Sequence, residues 1–260
     1  MENKLVRIPQ WAGIIIILAL ITSGASLTII SPLYANGLIN VIIPILILTF
    51  FKSEFFEKLK LSTLAVGRLL VVVTFLGFLP GDWLVQIIIW LLRINILEAM
   101  LTDYRNKSYF NVISGLALIG SSFIITGSWL GSYYVTTNAA MLYWAIAYTL
   151  WNWDFVIHEF KHQVGFYHLA VLTSPLVLVL LTAEPGLWLI ARANTLTFAG
   201  IFQIIGKKHI EKYLFNQALA GKIAVMKGTR IQLLLMAVTV ALCLMAVVGN
   251  SPGLFTRGFL

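Results

Sequence analysis

Apolar residues in this chain run without interruption for about twenty positions at a time, separated by short polar or turn segments. A helix of about twenty residues is about 30 Å long, the thickness of a bilayer's hydrocarbon core. The apolar runs are continuous and show no alternation of period two, so the pattern predicts helices and not the strands of a barrel. It places nine spans, near 11–31, 34–51, 61–79, 83–101, 110–130, 139–157, 167–183, 186–205 and 230–249. Turn-forming pairs mark the junctions at Ser31-Pro32, Asn36-Gly37, Pro80-Gly81 and Pro185-Gly186. The expected fold class is all-α, a polytopic transmembrane bundle in which residues 1–260 form one integral membrane domain.

Composition agrees. Hydrophobic residues make up 60% of the chain and charged residues 11%, against about 45–50% and about 25% in soluble domains. One soluble core does not hide that much apolar surface, whereas lipid solvates it. The first run, Trp11 to Ile30, follows Lys4 and Arg7 in the manner of a signal peptide. It exceeds the usual signal core of about 7–15 residues and is expected to be retained. The single cysteine, Cys243, excludes an internal disulfide.

Charge orients the spans. Arg68, Arg93 and Arg192 fall inside them; of the other fifteen Lys and Arg, fourteen lie in the N-terminal leader or in loops 2–3, 4–5, 6–7 and 8–9. The alternate loops carry none, and only Arg257 lies on their side. Basic residues concentrate in cytoplasmic loops, so the N-terminus is expected in the cytoplasm. Trp83, Trp129 and Trp188 are expected at the outer interface and Trp11 at the inner one. The net charge of +8 then reflects orientation and contact with anionic lipid, with no nucleic-acid partner. The loop at 207–230 is basic and partly amphipathic, and is the expected contact for anionic lipid. With no organellar signal, the expected location is a bacterial inner membrane. Nothing in the sequence sets an oligomeric state.

One segment carries a chemical motif. Where span six reaches the cytoplasm the sequence reads NWDFVIHEFKHQVGFYH, residues 152–168. His158 and His162, four apart, share one face of a continuous helix, with Glu159 beside them as a possible base. Gly165 and His168 complete H-E-x-x-H-x-x-G-x-x-H over eleven residues, which resembles the signature of the metzincin zinc peptidases. The resemblance implies zinc held by His158, His162 and His168, with Gly165 turning the chain at the helix end and Glu159 as general base. Asp154, one turn earlier, is placed to orient His158. The leading expectation is therefore a metal-dependent hydrolase at the cytoplasmic face. The opposing reading is ordinary histidines at a helix end, with Asp154 paired to His158.

Ionisable and amide side chains inside spans give an alternative. Charge in hydrocarbon is costly and usually marks a path or a site. Arg93 lies ten residues beyond Trp83, about 15 Å deep at 1.5 Å per residue. Arg68, Glu98, Asn152, Arg192 and Asn194 join it as candidates to line a substrate or ion path. Such a cavity is expected between spans three, four and six, with the histidines at its mouth and Arg68 and Arg93 facing an anionic group. This reading makes the chain a transporter or small-molecule binder. Its structural counterpart pairs Arg93 or Arg68 with Glu98 or Asp154, leaving a membrane protein without catalysis.

Overall fold

The computed structural model describes residues 10–30, 33–53, 55–137, 140–160, 162–213, 221 and 224–250. Long apolar runs become helices because a chain without water must bond its own backbone. They are α1 (Gln10–Ile30), a π-helical segment (Tyr34–Ile42) running into α2 (Ile43–Phe50), α3 (Phe55–Phe75), α4 (Gly81–Arg105) and α5 (Tyr109–Ser121). There follow α6 (Met141–Glu159), α7 (His162–Thr182), α8 (Trp188–Tyr213) and α9 (Thr229–Gly249). Among the described residues, three helical stretches are long and apolar enough to cross a membrane: Gly81–Arg105, Pro185–Gly206 and Thr229–Gly249.

The run expected as span five divides. α5 ends at Ser121, a 3-10 turn covers Ser122–Ile124, and the chain then forms a hairpin of β1 (Gly127–Trp129) and β2 (Tyr134–Thr136). The strands are antiparallel, with Ser128 opposite Val135, and Gly131 turns between them at φ +82°. The hairpin lies across the start of α4. A side chain on Gly81 would overlap Trp129, so only glycine permits that approach.

Polar hydroxyls are handled locally. Thr49, Thr63, Thr74, Ser114, Thr149, Thr173, Ser174 and Thr197 each donate to the carbonyl four residues earlier, which lets them sit on helices without external partners. The burial pattern is inside-out relative to a soluble protein. Leu233, Leu234, Leu244 and Met245 of α9 face outward, while Arg68, Arg93, Asp103, Asp154 and Arg192 are buried.

An aromatic cluster forms the centre. Trp144 stacks on Tyr148 at 5.4 Å, and Trp188 meets Trp144 and Tyr148 edge-on at 5.7 and 5.0 Å. Trp188 is fully buried against α6, whereas Trp83 is 69% exposed.

Candidate functional site

Three helix stripes and one tyrosine enclose a cavity of about 300 Å³. On α3, Lys60, Leu64 and Arg68 recur at intervals of four, so they share a face. α4 contributes Ile88, Leu92, Asn95 and Glu98, and α8 contributes Leu189, Arg192 and Leu196. Tyr148 of α6, backed by the aromatic cluster, forms part of the wall. Three cations, Lys60, Arg68 and Arg192, therefore share the cavity with one carboxylate, Glu98.

Arg68 is 2% exposed and Arg192 3%. Arg68 donates from Nη1 to Asn194 Oδ1 at 3.1 Å and from Nη2 to the Tyr134 hydroxyl at 3.2 Å. Its Nε has no partner among the described residues. Arg192 is held more loosely. Its Nη1 reaches Thr195 Oγ1 at 3.4 Å, its guanidinium carbon lies 5.6 Å from the Tyr148 ring centre, and its Nε is also unpartnered. Neither forms an ion pair among the described residues, although a guanidinium stays charged wherever it is placed. Two buried positive charges thus face one cavity without a counter-ion on either.

A buried polar line continues from Arg68. Asn194 also accepts a hydrogen bond from Asn40 Nδ2 at 3.4 Å. Asn40 and Asn36 both lie buried on the π-helical segment, and both amide heteroatoms of Asn36 lack partners among the described residues. Wider π turns often occur at functional positions.

The other sequence candidates lie elsewhere. Arg93 was expected on the path; it is not among the cavity's lining residues. Its Nε and Nη2 donate to Ser122 Oγ and O, both at 3.1 Å, and its guanidinium lies between the rings of Trp90 and Phe123. It ties α4 to the end of α5, sharing the Ser122 carbonyl with the Ile125 N–H at 3.1 Å. The expected pairs of Arg93 or Arg68 with Glu98 or Asp154 are not formed: Glu98 is exposed, and Asp154 faces His158. Asn152 donates to the Tyr148 carbonyl of its own helix.

The histidine motif also differs from its expected geometry. α6 stops at Glu159, Phe160 is extended at φ −100° and ψ 155°, and α7 begins at His162. His158 and His162 therefore lie on different helices and not on one face. The turn comes at Phe160, and Gly165 lies within α7, where a side chain would meet the Val156 carbonyl at 3.3 Å. His158 Nδ1 is 2.8 Å from the Asp154 carbonyl and 3.3 Å from its Oδ1. Its Nε2 accepts from the Gln232 amide. The ring's pKa is raised, chiefly by the hydrogen bond to Asp154. Glu159 accepts from Asn106 at 3.0 Å, and the His168 ring stacks on Phe160 at 4.6 Å. The side chain of His162 lies outside the described residues, among which no three His, Cys, Asp or Glu side chains converge as a ligand set. Among the described side chains, those of His158, Glu159 and His168 do not converge on a shared ion.

The chain matches no family model, no curated protein and no solved structure. Function must therefore be read from the cavity itself. Sequence reasoning found Arg68, Glu98, Arg192 and Asn194. It missed Lys60, which counts as a loop cation when the span is begun one residue later, and Tyr134, Asn95 and Tyr148. The spacing of Lys60, Leu64 and Arg68 was the available signal for the first. Within segment 207–230, the expected contact for anionic lipid, residues 214–220, 222 and 223 lie outside the described residues; α8 remains helical to Tyr213.

Proposed function

We propose that the chain is a polytopic membrane protein of about nine spans that binds an anionic small molecule in the cavity between α3, α4 and α8. The observation that carries this reading is the pair Arg68 and Arg192, buried in one cavity with no carboxylate bonded to either. A bound phosphate or carboxylate supplies the missing charge, and guanidinium groups match both geometrically. The polar line through Asn194, Asn40 and Asn36 favours a carrier over a static receptor, since it extends the polar interior past the cavity. Irregular backbone at membrane depth is tolerated where it is buried in protein or lines such a passage.

Support for nine spans comes from the basic-loop alternation and from helices that overlap the expected runs. With the N-terminus cytoplasmic, Lys60 and Glu98 lie toward the cytoplasm and the hairpin faces the opposite side. Two measurements test the reading. In a Cys243→Ser background, a membrane-impermeant maleimide applied to whole cells should label Gly131→Cys and not Lys107→Cys; the reverse pattern overturns the orientation. A thermal-stability screen of detergent-purified protein against phosphate- and carboxylate-bearing compounds should find at least one that stabilises the wild type and not Arg192→Met. A screen in which none does so counts against the anion site.

The eleven-residue signature carries a second reading, a zinc-dependent hydrolase using His158, His162, His168 and Glu159. It requires the α6–α7 junction to rearrange. Stoichiometric zinc in wild type, lost in His158→Ala/His162→Ala, would establish it.

A further inference from the structure

Resting on the anion-binding reading, we propose that the ligand is an amphiphile, with a phosphate or carboxylate head and a hydrocarbon chain, which enters sideways from the bilayer between α3 and α4. Gly67 is where these helices touch: a side chain there would lie 3.8 Å from Ile88 and from Leu91. From that contact toward Lys60 and Glu98, residues of both helices line the cavity. Along this opening the lining grades from exposed to buried. Leu59 and Ile94 are 48% and 56% exposed, whereas Arg68 and Arg192 at the inner wall are almost fully buried. Thr63 and Glu98 are exposed on the same rim, so Leu59 and Ile94 offer the rest for a hydrocarbon tail while the buried arginines suit its anionic head.

Size points the same way. Pockets for drug-sized ligands hold about 300–1,000 Å³, and this cavity, at about 300 Å³, is at the lower limit. It has room for a head group and the first few carbons. The rest of a chain must lie outside, and the apolar rim at Leu59 and Ile94 is where it would rest. Lys60, eight residues from Arg68 and so about 12 Å along the helix, stands at the mouth. There it stands beside the Glu98 carboxylate, and the head group passes this pair to reach the buried arginines.

The test uses purified full-length protein in neutral detergent, with decyl phosphate and decanoate compared with inorganic phosphate, acetate and decanol. At least one ten-carbon anion should bind the wild type at least about tenfold more tightly than its short counterpart, and decanol should not compete. Thr63→Trp, which adds bulk at the exposed rim, should weaken that amphiphile at least about tenfold and leave the short anion unchanged. Arg192→Met should lose both. If a short anion binds as tightly as its ten-carbon form and Thr63→Trp changes nothing, the amphiphile proposal falls while the anion site stands. If no anion binds, if decanol binds as well, or if Arg192→Met has no effect, both fall.

Discussion

Replacing Arg192 by methionine should stabilise the ligand-free protein. Arg192 is 3% exposed and lies in the outer half of its span, where an arginine costs at most the about 2.5–3.5 kcal/mol that insertion scales give at a helix centre. The visible compensation is partial. One hydrogen bond to Thr195 at 3.4 Å is worth about 0.5–1 kcal/mol at that length. The Tyr148 side chain, met by Arg192 both at its ring, 5.6 Å away, and through a side-chain hydrogen bond, adds about 1–2 kcal/mol. Thr195 loses nothing essential, because its hydroxyl also donates to the Arg192 carbonyl at 3.0 Å, a bond that survives the substitution. Methionine keeps most of the side chain's length and apolar stem, so packing changes little. The net gain is about 0–2 kcal/mol, at most roughly 4–8 °C in melting temperature for a chain of this size. Thermal unfolding in neutral detergent, without added anion, measures it. A variant destabilised by more than about 1 kcal/mol would refute the reasoning and make Arg192 a structural tie. Gain of stability with loss of ligand response is the signature of a residue retained for function.

Arg68→Met should have the opposite sign. It removes the charge-assisted bonds that Arg68 donates to Asn194 and Tyr134, worth about 1.5–3 kcal/mol each, so the same melt should show a net loss of about 1–3 kcal/mol after the relieved charge burial. An unchanged or raised midpoint would contradict the network. Gly81→Ala forces a methyl group into Trp129 and should cost about 1–3 kcal/mol, read by thermal melt; a neutral effect would show that the hairpin does not need this contact. The His158 pKa is raised by Asp154, so the pair's stabilisation is complete below the ordinary imidazole pKa of about 6.5 and is lost as pH rises through the raised value. The stability advantage of wild type over Asp154→Asn should therefore shrink from mildly acidic to alkaline pH, with the Gln232 amide turning its oxygen to the protonated ring at the acid end. A pH-independent difference would contradict this.

The helical runs were legible because period and length suffice to find them. The α3, α6 and α9 boundaries fall within a few residues of expectation, apart from the start of α3, where Phe55–Lys60 read as loop. Span five misled for a physical reason: residues 110–130 form one apolar stretch, and hydropathy does not separate a helix from a helix followed by a hairpin. Ile124, Ile125 and Thr126 before Gly127 were the β-branched signal. The break at Phe160 had no Gly or Pro to announce it, so HEFKH read as continuous helix. Arg68 and Arg192 were legible as site residues because charge in an apolar run is costly wherever it falls. That Arg93 is tied to Ser122 while Arg192 is held more loosely depends on which helices are neighbours, which one-dimensional pattern does not carry.

The central claim is that a buried arginine pair holds an anion, and equilibrium dialysis with phosphorus-32-labelled phosphate and decyl phosphate, beside carbon-14-labelled acetate and decanoate, measures that directly. The expected result is saturable binding of at least one of these anions at one per chain in wild type, and none in an Arg192→Met protein that melts no lower. No saturable anion in wild type, or equal binding in the variant, would contradict it.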